Sequence, residues 1–237
     1  NFESIYQLLS DYDDEDTTII HQAIGVVGLI TPWNWPMNQI ALKVIPALLV
    51  GCTVILKPSE ETPLSALLFG QLIHDAGFPP GVFQLLNGYG PNHVGEWLAS
   101  NPNIDMVSFT GSTRAGKQVS LAAAPTLKRI SLEMGGKGAN IIFDDLIEDD
   151  DDMEYFREVI ESGVYNVMSN SGQTCNAPTR MLVPAQHWEF ALSTAKEIAS
   201  SVRVGSAHED GDHIGPVVSR SQYERIQGYI QAGIEEG

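Results

Sequence analysis

Short β-type runs alternate with amphipathic helical runs over most of this chain, and this alternation restricts the folds that it can adopt. Strands are predicted at residues 24–30, 53–56, 82–86, 106–109 and 129–132, and helices at 38–50, 63–76, 92–100 and 113–123. Glycine- and proline-rich turns lie between them, as at 77–81 and 88–91. Strands joined through helices pair in parallel, so the sequence predicts an open parallel sheet with helices on both faces.

A second α/β stretch follows the paired glycines at 135–136. Its predicted strands cover 140–143 and 181–183, and its predicted helices cover 153–168, 187–202 and 222–236. The acidic first part, 1–23, is interpreted as a surface segment with the remnant of a linking strand, which places domains at 24–134 and 135–237. Because the chain begins at Asn1 and stops at Gly237 directly after a helical pattern, we expect an internal piece of a longer protein.

Charge and cysteine content exclude several classes of partner. The formal net charge of −17 at pH 7 repels nucleic acid and anionic membrane surfaces. The longest nearly apolar run, 44–56, is shorter than the roughly 18 residues that span a bilayer. Two cysteines make no disulfide framework, and no signal segment opens the chain. We therefore expect a soluble cytoplasmic protein that binds neither nucleic acid nor membranes.

The most acidic segment covers residues 144–152. A metal site is one interpretation of it, but consecutive aspartates repel each other and cannot all point at one ion. The segment is therefore interpreted as a solvated loop whose last acidic residues stabilise the start of the next helix.

Cys175 ends a turn of small residues at 170–175 and is a candidate nucleophile. The alternative is a structural thiol, because free cysteine is among the most buried residue types. Ser171 and Gly172 permit a sharp turn, and a helix that began just after the cysteine would add N–H groups that stabilise a thiolate. Cys52 lies within an apolar run and is interpreted as a core residue.

Four other segments carry polar groups in positions that suit catalysis or ligand binding. Prolines on both sides of Asn34 suit an oxyanion donor, although a rigid turn that only packs is the alternative. Lys57 ends the second predicted strand, where open α/β sheets bind ligands, but exposed lysines are common. Residues 109–116 join a strand to a helix start that suits a pyrophosphate, without the three-glycine dinucleotide fingerprint. Glu133 is a candidate general base or a solvated surface residue.

The motifs, taken in order, resemble the motif series of the NAD(P)-dependent aldehyde dehydrogenase superfamily. They are Pro32-Trp33-Asn34-Trp35-Pro36, Leu56-Lys57-Pro58-Ser59-Glu60, Phe109-Thr110-Gly111-Ser112-Thr113, Leu132-Glu133-Met134-Gly135-Gly136-Lys137 and Gly172-Gln173-Thr174-Cys175. The likeness runs from about residue 24 to the end of the chain. It implies a Rossmann-like open parallel sheet as an NAD-binding domain, incomplete at its N-terminus. Part of a second α/β catalytic domain, incomplete at its C-terminus, follows it.

The resemblance implies oxidation of an aldehyde to a carboxylic acid with NAD(P)+ through a cysteine hemithioacetal and a thioester. Cys175 would be the nucleophile, the Asn34 amide and the Cys175 backbone N–H would hold the oxyanion, and Glu133 would activate water. The cofactor-binding residues that it implies are Ile30, Trp33, Lys57, Ser59, Glu60, Gly90, Phe109, Gly111, Ser112, Gly116 and Met134. NAD is favoured over NADP because Glu60 would repel a ribose 2′-phosphate. Glu133 favours hydrolysis over acyl transfer to coenzyme A.

The chain departs from the family pattern in what it omits. The Glu-X-Phe-Gly-Pro segment of the family, most of the amino-terminal part of its cofactor domain and its subunit-joining strand are not found before Gly237. We therefore expect weak cofactor binding by this polypeptide alone, and a parent protein that is a homodimer or homotetramer. Trp35 and Thr174 are expected to border an aldehyde tunnel for a mostly apolar or aromatic substituent.

Two other functions compete with the enzyme hypothesis. One is a non-enzymatic structural member of the family, like those found in lenses, and the other is a nucleotide-binding module with an incidental thiol. Neither function requires Cys175, Asn34 and Glu133 to be present together, so the intact set favours the enzyme.

Overall fold

The computed structural model describes residues 12–14, 16–147 and 152–237. The chain divides into two compact units, of which one ends at Met134 and the other begins at Gly135. Within the predicted acidic segment, a short antiparallel pair joins β1, Tyr12–Asp13, to β2, Thr18–Ile19. Residues 1–11 of that segment and 148–151 of the predicted acidic loop lie outside the described residues.

The first unit contains a 5-stranded parallel sheet with the order β5-β4-β3-β6-β7. Its strands are β3 Val26–Ile30, β4 Thr53–Lys57, β5 Phe83–Leu85, β6 Met106–Gly111 and β7 Arg129–Met134. Its helices are α1 Pro36–Leu49, α2 Leu64–Asp75, α3 Val94–Ser100 and α4 Thr113–Ala123. The Rossmann-like open parallel sheet that the sequence predicts is therefore confirmed.

Apolar residues cover both faces of this sheet. On one face Val27 and Leu29 pack in a core with Ile40 of α1 and Ala66 of α2. On the other face residues of β3 and β6 pack against α3 and α4. Gly28 lies on that second face, where a Cβ would come within 2.7 Å of the Leu98 side chain. The absence of a side chain at this strand position lets α3 approach the sheet closely.

Strand and helix ends differ from the predicted ones where local geometry intervenes. β3 begins at Val26 rather than residue 24, because Gly25 has a φ of +123° and the Asp105 carboxylate accepts a hydrogen bond from the Val26 N–H at 2.8 Å. α3 begins at Val94 rather than residue 92, because Asn92 is left-handed with a φ of 53°. β6 and β7 each extend two residues further than predicted, since their parallel pairing continues to Gly111 and Met134.

The second unit is built from a short parallel strand pair and longer helices. β8, Ala139–Ile141, pairs with β9, Arg180–Leu182. Its helices are α5 Asp152–Met168, α6 Trp188–Ser201 and α7 Arg220–Glu236. Phe156 and Ile160 of α5 are completely buried against Ala191 of α6 and form the centre of its core. In the described parts of the chain, no helix combines the length and the hydropathy that a membrane span requires.

Candidate active site

The carboxyl ends of β3, β4, β6 and β7 meet along one edge of the sheet, and most of the predicted site residues of the first unit lie there. The chain leaves β3 toward β4 and β5 and later returns to its other side with β6 and β7. This reversal of direction beside β3 is the topological switch point at which open α/β sheets bind ligands. Ile30, Lys57, Gly111 and Met134 are the last residues of these four strands.

The turn that carries Asn34 connects β3 to α1. Buried Thr31 donates its N–H to the Lys57 carbonyl at 3.1 Å, which ties the start of the turn to the neighbouring strand. Pro36 occupies the first turn of α1, a position where a missing N–H costs nothing. Trp33 and Asn34 are half-buried, and Trp35 is exposed. The turn is therefore held at both ends, as the flanking prolines predict.

Lys57 is almost completely buried, with 3% of its surface exposed. Its ammonium donates to the Pro58 carbonyl at 2.8 Å and to the Glu60 carboxylate at 3.1 Å. Ser59 is also buried, and its hydroxyl accepts from the Glu61 N–H at 3.3 Å. The alternative of an ordinary exposed lysine is therefore wrong. The carboxylate of Glu60 reaches the surface beside this oriented ammonium.

Four of the predicted cofactor-binding residues pack against one another where β6 runs into α4. A Cβ on Gly111 would lie 2.6 Å from the Phe109 ring, and one on Gly116 would lie 2.7 Å from the Met134 sulfur. Ser112 caps α4, its hydroxyl accepting from the Ala115 N–H at 3.2 Å. The first N–H groups of α4 therefore begin directly after a turn that has little room for side chains, which suits an anionic group.

Gly90 lies in a second close approach between backbone segments. A Cβ on Gly95 would come within 2.8 Å of the Gly90 Cα, so α3 starts tightly against the turn that follows β5. The Gly90 carbonyl accepts the Glu96 N–H at 3.0 Å. Backbone contacts thus fix this turn, together with the Glu96 carboxylate, which accepts the Asn92 N–H at 2.7 Å.

Thr110 carries a buried hydroxyl that points to a missing binding partner. Its residue is 7% exposed, and within the described residues its Oγ1 makes no hydrogen bond. Buried polar groups are nearly always paired with protein or water, so this hydroxyl is available to hydrogen-bond a water molecule or a bound ligand. Thr110 pairs in register with Glu133 of β7, and the next register pair joins Gly111 to Met134. The orphaned hydroxyl therefore lies among the residues predicted to hold the cofactor.

Glu133 lies in β7 rather than after it, and its side chain is exposed. The ammonium of Lys43 in α1 is close enough to attract the Glu133 carboxylate. Lys43 was not identified from the sequence. The Lys43 ammonium donates to the Ser108 hydroxyl at 2.7 Å. Burial lowers the pKa of Lys43, and attraction to the Glu133 carboxylate opposes that shift. The sequence signal for this residue is a single lysine within the otherwise apolar run 40–45.

Cys175 lies in the second unit, and its side chain is exposed, whereas Cys52 is buried in the first unit. Three left-handed residues in succession precede it, with φ of 52° at Asn170, 58° at Ser171 and 74° at Gly172. The Gly136 N–H donates to the Cys175 carbonyl at 3.3 Å. The interpretation of Cys175 as a buried structural thiol is therefore wrong, and that of Cys52 as a core residue is confirmed.

A helix just after Cys175, which would have added N–H groups beside the thiol, is not formed. Cys175 and Asn176 form a turn, and the chain turns again before β9, where the Thr179 N–H donates to the Ala177 carbonyl at 2.9 Å. The helix near the cysteine is α5, which ends before it at Met168. The left-handed turn at 170–172 leads to the exposed thiol of Cys175. A turn, rather than the N-terminus of a helix, therefore presents the sulfur.

An open parallel sheet with a capped helix start and a buried lysine at its switch point is the arrangement of a nucleotide-binding α/β protein. Comparison with known proteins identifies the family to which the chain belongs within this class. The aldehyde dehydrogenase family profile matches residues 3–237. A 3-succinoylsemialdehyde-pyridine dehydrogenase of Pseudomonas sp. is 49% identical over 241 residues, covering 100% of this chain and 49% of that protein. The chain belongs to the aldehyde dehydrogenase family.

Solved structures agree with this membership. An aldehyde dehydrogenase from Bartonella henselae superposes with a TM-score of 0.91 at 54% identity, over 100% of this chain and 49% of the other. A mutant aldehyde dehydrogenase C from Pseudomonas syringae, crystallised with NAD+ and octanal, superposes with a TM-score of 0.89 at 48% identity, over 96% of this chain and 45% of the other. The chain thus spans about half the length of the relatives that it matches.

Proposed function

We propose that the full-length protein that contains this chain oxidises an aldehyde to a carboxylic acid with NAD+, by covalent catalysis at Cys175. The observation that carries the proposal is the exposed Cys175 thiol on a left-handed turn. Membership of the aldehyde dehydrogenase family supports the reaction. The Pseudomonas syringae relative, which holds NAD+ and octanal, supports both NAD as cofactor and an aldehyde with an apolar substituent.

The first chemical step is the attack of the Cys175 thiolate on the aldehyde carbonyl carbon. A C–S bond forms and the carbonyl oxygen takes up the negative charge. The Asn34 amide and the Cys175 backbone N–H would donate hydrogen bonds to this oxyanion. One donor of this kind typically contributes about 2.7 to 4 kcal/mol of transition-state stabilisation. Asn34 suits the role because the turn around it is held at both ends.

The residues at the sheet edge fit NAD. Gly111, Ser112 and the first N–H groups of α4 would hold the pyrophosphate, while Lys57 and Glu60 would bind hydroxyls of the adenosine ribose. Ile30, Trp33, Ser59, Gly90, Phe109, Gly116 and Met134 would line the rest of the cleft. The orphaned Thr110 hydroxyl offers a donor to a bound ligand. When bound, NAD+ would supply the acceptor for a hydride from the hemithioacetal carbon, whose oxyanion would then re-form the C=O bond and leave a thioester on Cys175.

The last step returns the cysteine to its starting state. The Glu133 carboxylate takes a proton from a water molecule, and the resulting hydroxide attacks the thioester carbon. The C–S bond breaks, the carboxylic acid leaves, and the thiolate of Cys175 is restored. We further propose that the protein is cytoplasmic, as its cysteine content indicates, and that it works as a homo-oligomer, as the sequence resemblance implies.

The reaction type is tested by identifying the product. The full-length protein is incubated with NAD+ and octanal, with and without coenzyme A, and the products are separated by chromatography. We expect octanoic acid in a one-to-one ratio with NADH, and no effect of coenzyme A, because Glu133 supplies the base for hydrolysis. Formation of octanoyl-coenzyme A would contradict hydrolysis. A failure to form NADH with octanal and with a panel of aromatic aldehydes would contradict the enzyme hypothesis and favour a structural member of the family.

Cofactor choice is expected to depend on Glu60. Replacing Glu60 by glutamine removes a negative charge from the proposed ribose site and keeps an acceptor for Lys57. Two unit charges about 4 Å apart in water interact by about 1 kcal/mol, and a 2′-phosphate carries nearly two. We therefore expect the ratio of kcat/KM for NADP+ to that for NAD+ to rise about tenfold in Glu60→Gln.

The neighbouring exposed Glu61 provides the matched control, because Glu61→Gln removes the same charge one residue away. Steady-state rates with both cofactors are measured for the two variants and the wild-type protein. An equal change in the ratio for both variants would show that Glu60 has no specific role in rejecting NADP+.

A further inference from the structure

We propose that Ser171 and Gln173 are positioning residues for Cys175. Their side chains tie the cysteine turn to the backbone of residues 215–218, and these ties hold the left-handed turn that presents the thiol. The inference rests on the nucleophilic role proposed above for Cys175, but it concerns a different question, namely what keeps the sulfur in place.

The backbone of this turn needs external support. Asn170, Ser171 and Gly172 all have positive φ, and only glycine adopts such a conformation without steric cost. Asparagine tolerates it moderately, whereas serine does not favour it. Residues held in sparsely populated backbone regions persist only where the surrounding structure determines them. Without such support, the turn is free to relax toward right-handed conformations.

Two side chains supply the support by reaching far along the sequence. The Ser171 hydroxyl donates to the Gly215 carbonyl at 2.7 Å. The side-chain oxygen of Gln173, Oε1, accepts the Val218 N–H at 2.8 Å. Its side-chain nitrogen, Nε2, donates to the backbone carbonyl of Asn170 at 3.0 Å. Gln173 therefore braces the turn internally and fastens it to another segment.

The segment that receives these ties is itself hydrogen-bonded to another part of the unit where it begins. Before it, the Ile214 N–H donates to the Arg203 carbonyl at 2.9 Å, and the Gly205 N–H donates to the Ile214 carbonyl at 3.0 Å. After it, Ser219 caps α7 by accepting the Gln222 N–H at 3.5 Å. Because residues 215–218 follow this hydrogen-bonded region, their bonds to Ser171 and Gln173 restrict the position of the turn. The position of the Cys175 sulfur is restricted with it.

The consequence for the reaction follows from geometry. A displacement of about 1 Å at a reacting atom can lower a rate by about 100-fold. Ser171→Ala and Gln173→Ala remove one tie each and leave Cys175, Asn34 and Glu133 chemically intact. We expect both variants to slow the reaction of the sulfur while leaving cofactor binding unchanged, since neither residue is among those proposed to hold NAD.

The primary test is the reactivity of Cys175 toward iodoacetamide, followed by mass spectrometry of its peptide in the folded full-length protein. We expect labelling to slow about 5-fold in Ser171→Ala and about 10-fold in Gln173→Ala. Gln173→Glu keeps an oxygen that accepts from Val218 but loses the donor to the Asn170 carbonyl, so we expect its labelling rate to lie between those of Gln173→Ala and the wild-type protein. Buried Cys52 reports on unfolding in the same samples, because it is labelled only when the first unit opens.

Two matched controls remove hydrogen bonds of the same kind elsewhere in the second unit. Ser193→Ala loses a bond to the Phe190 carbonyl in α6, and Gln231→Ala loses one to Glu235 in α7. Both are expected to label at the wild-type rate. Labelling of Ser171→Ala and Gln173→Ala at the rate of these controls would overturn the proposal, as would a Gln173→Glu protein as slow as Gln173→Ala.

The same proteins are then assayed for NADH formation with octanal and for NAD+ affinity. We expect kcat to fall about 10- to 100-fold in Gln173→Ala, with KM for the aldehyde and Kd for NAD+ within about 2-fold of wild type. A wild-type protein that forms no NADH but whose labelling slows in the variants would contradict the proposed function and still support the positioning role. An active wild-type protein with unchanged labelling and kcat in both variants would overturn the positioning role alone.

Discussion

Replacing Cys175 by alanine is expected to lower kcat for aldehyde oxidation by about 10⁴-fold or more. The loss is this large because the sulfur forms the covalent bond through which both half-reactions pass, and removal of a nucleophile in comparable enzymes costs up to about 10⁶-fold. NAD+ affinity should stay within about 2-fold, since the residues proposed to hold the cofactor belong to the first unit. The measurement is NADH absorbance with octanal, alongside NAD+ titration of the same protein.

Cys52 gives the matched control for this substitution. It is the other thiol of the chain and packs in the core with Val54 and Leu56. Cys52→Ala is expected to retain kcat within about 3-fold once the folded fraction is taken into account. Cys175→Ala with more than about 1% of wild-type kcat would contradict a covalent mechanism. It would instead favour a nucleotide-binding module in which the thiol is incidental.

Replacing Glu133 by glutamine is expected to separate the two half-reactions. Glutamine has nearly the same shape, but its amide cannot take a proton from water. The first turnover should therefore form NADH at close to the wild-type rate, whereas steady turnover should fall by about 10²- to 10⁴-fold, the usual contribution of a general base. Rapid mixing with octanal and NAD+ resolves the burst from the steady phase.

Glu61→Gln is the matched control for Glu133, because Glu61 is an exposed glutamate of the same unit that lies outside the proposed catalytic set. It should show wild-type steady turnover. Undiminished steady turnover in Glu133→Gln would remove Glu133 from the mechanism. Loss of the burst together with the steady phase would show that Glu133 acts before the thioester forms.

Much of the fold could be predicted from the sequence because its pattern is regular. Strands buried on both faces have continuous apolar runs, and residues 53–56 were recognised in this way. Helix α4 was predicted with the bounds that it has, because Ser112 marks its start and the amphipathic pattern ends at Ala123. Patterns of this kind depend only on residues that are close together in the sequence, so they can be recognised without the structure.

Element ends were less predictable, because they depend on backbone angles and on distant contacts. β7 continues through Glu133 and Met134 because β6 offers partners at Thr110 and Gly111, and no signal within 129–134 reveals that pairing. The surroundings of Cys175 were misread for a similar reason. Ser171 gave no indication that it would adopt a positive φ, since this conformation depends on a carbonyl 44 residues further along the chain.

The candidate site also combines features that local sequence reveals with features that depend on distant contacts. The place of Lys57 at a strand end predicts a ligand-binding role, but its burial and its bond to Glu60 depend on the fold. Lys43 could not be singled out from the sequence, because its partner Ser108 and the nearby Glu133 lie on other elements of the sheet. Motifs therefore offer candidates for the reactive residues, whereas the contacts of those candidates require the structure.

The central claim is that Cys175 carries the acyl group during the reaction. It is tested most directly by mixing Glu133→Gln full-length protein with NAD+ and octanal, quenching in acid after the burst, and measuring the mass of the Cys175 peptide. We expect one NADH per subunit and an octanoyl adduct on Cys175 in equal amount. An unmodified Cys175 peptide after a full burst of NADH would contradict it.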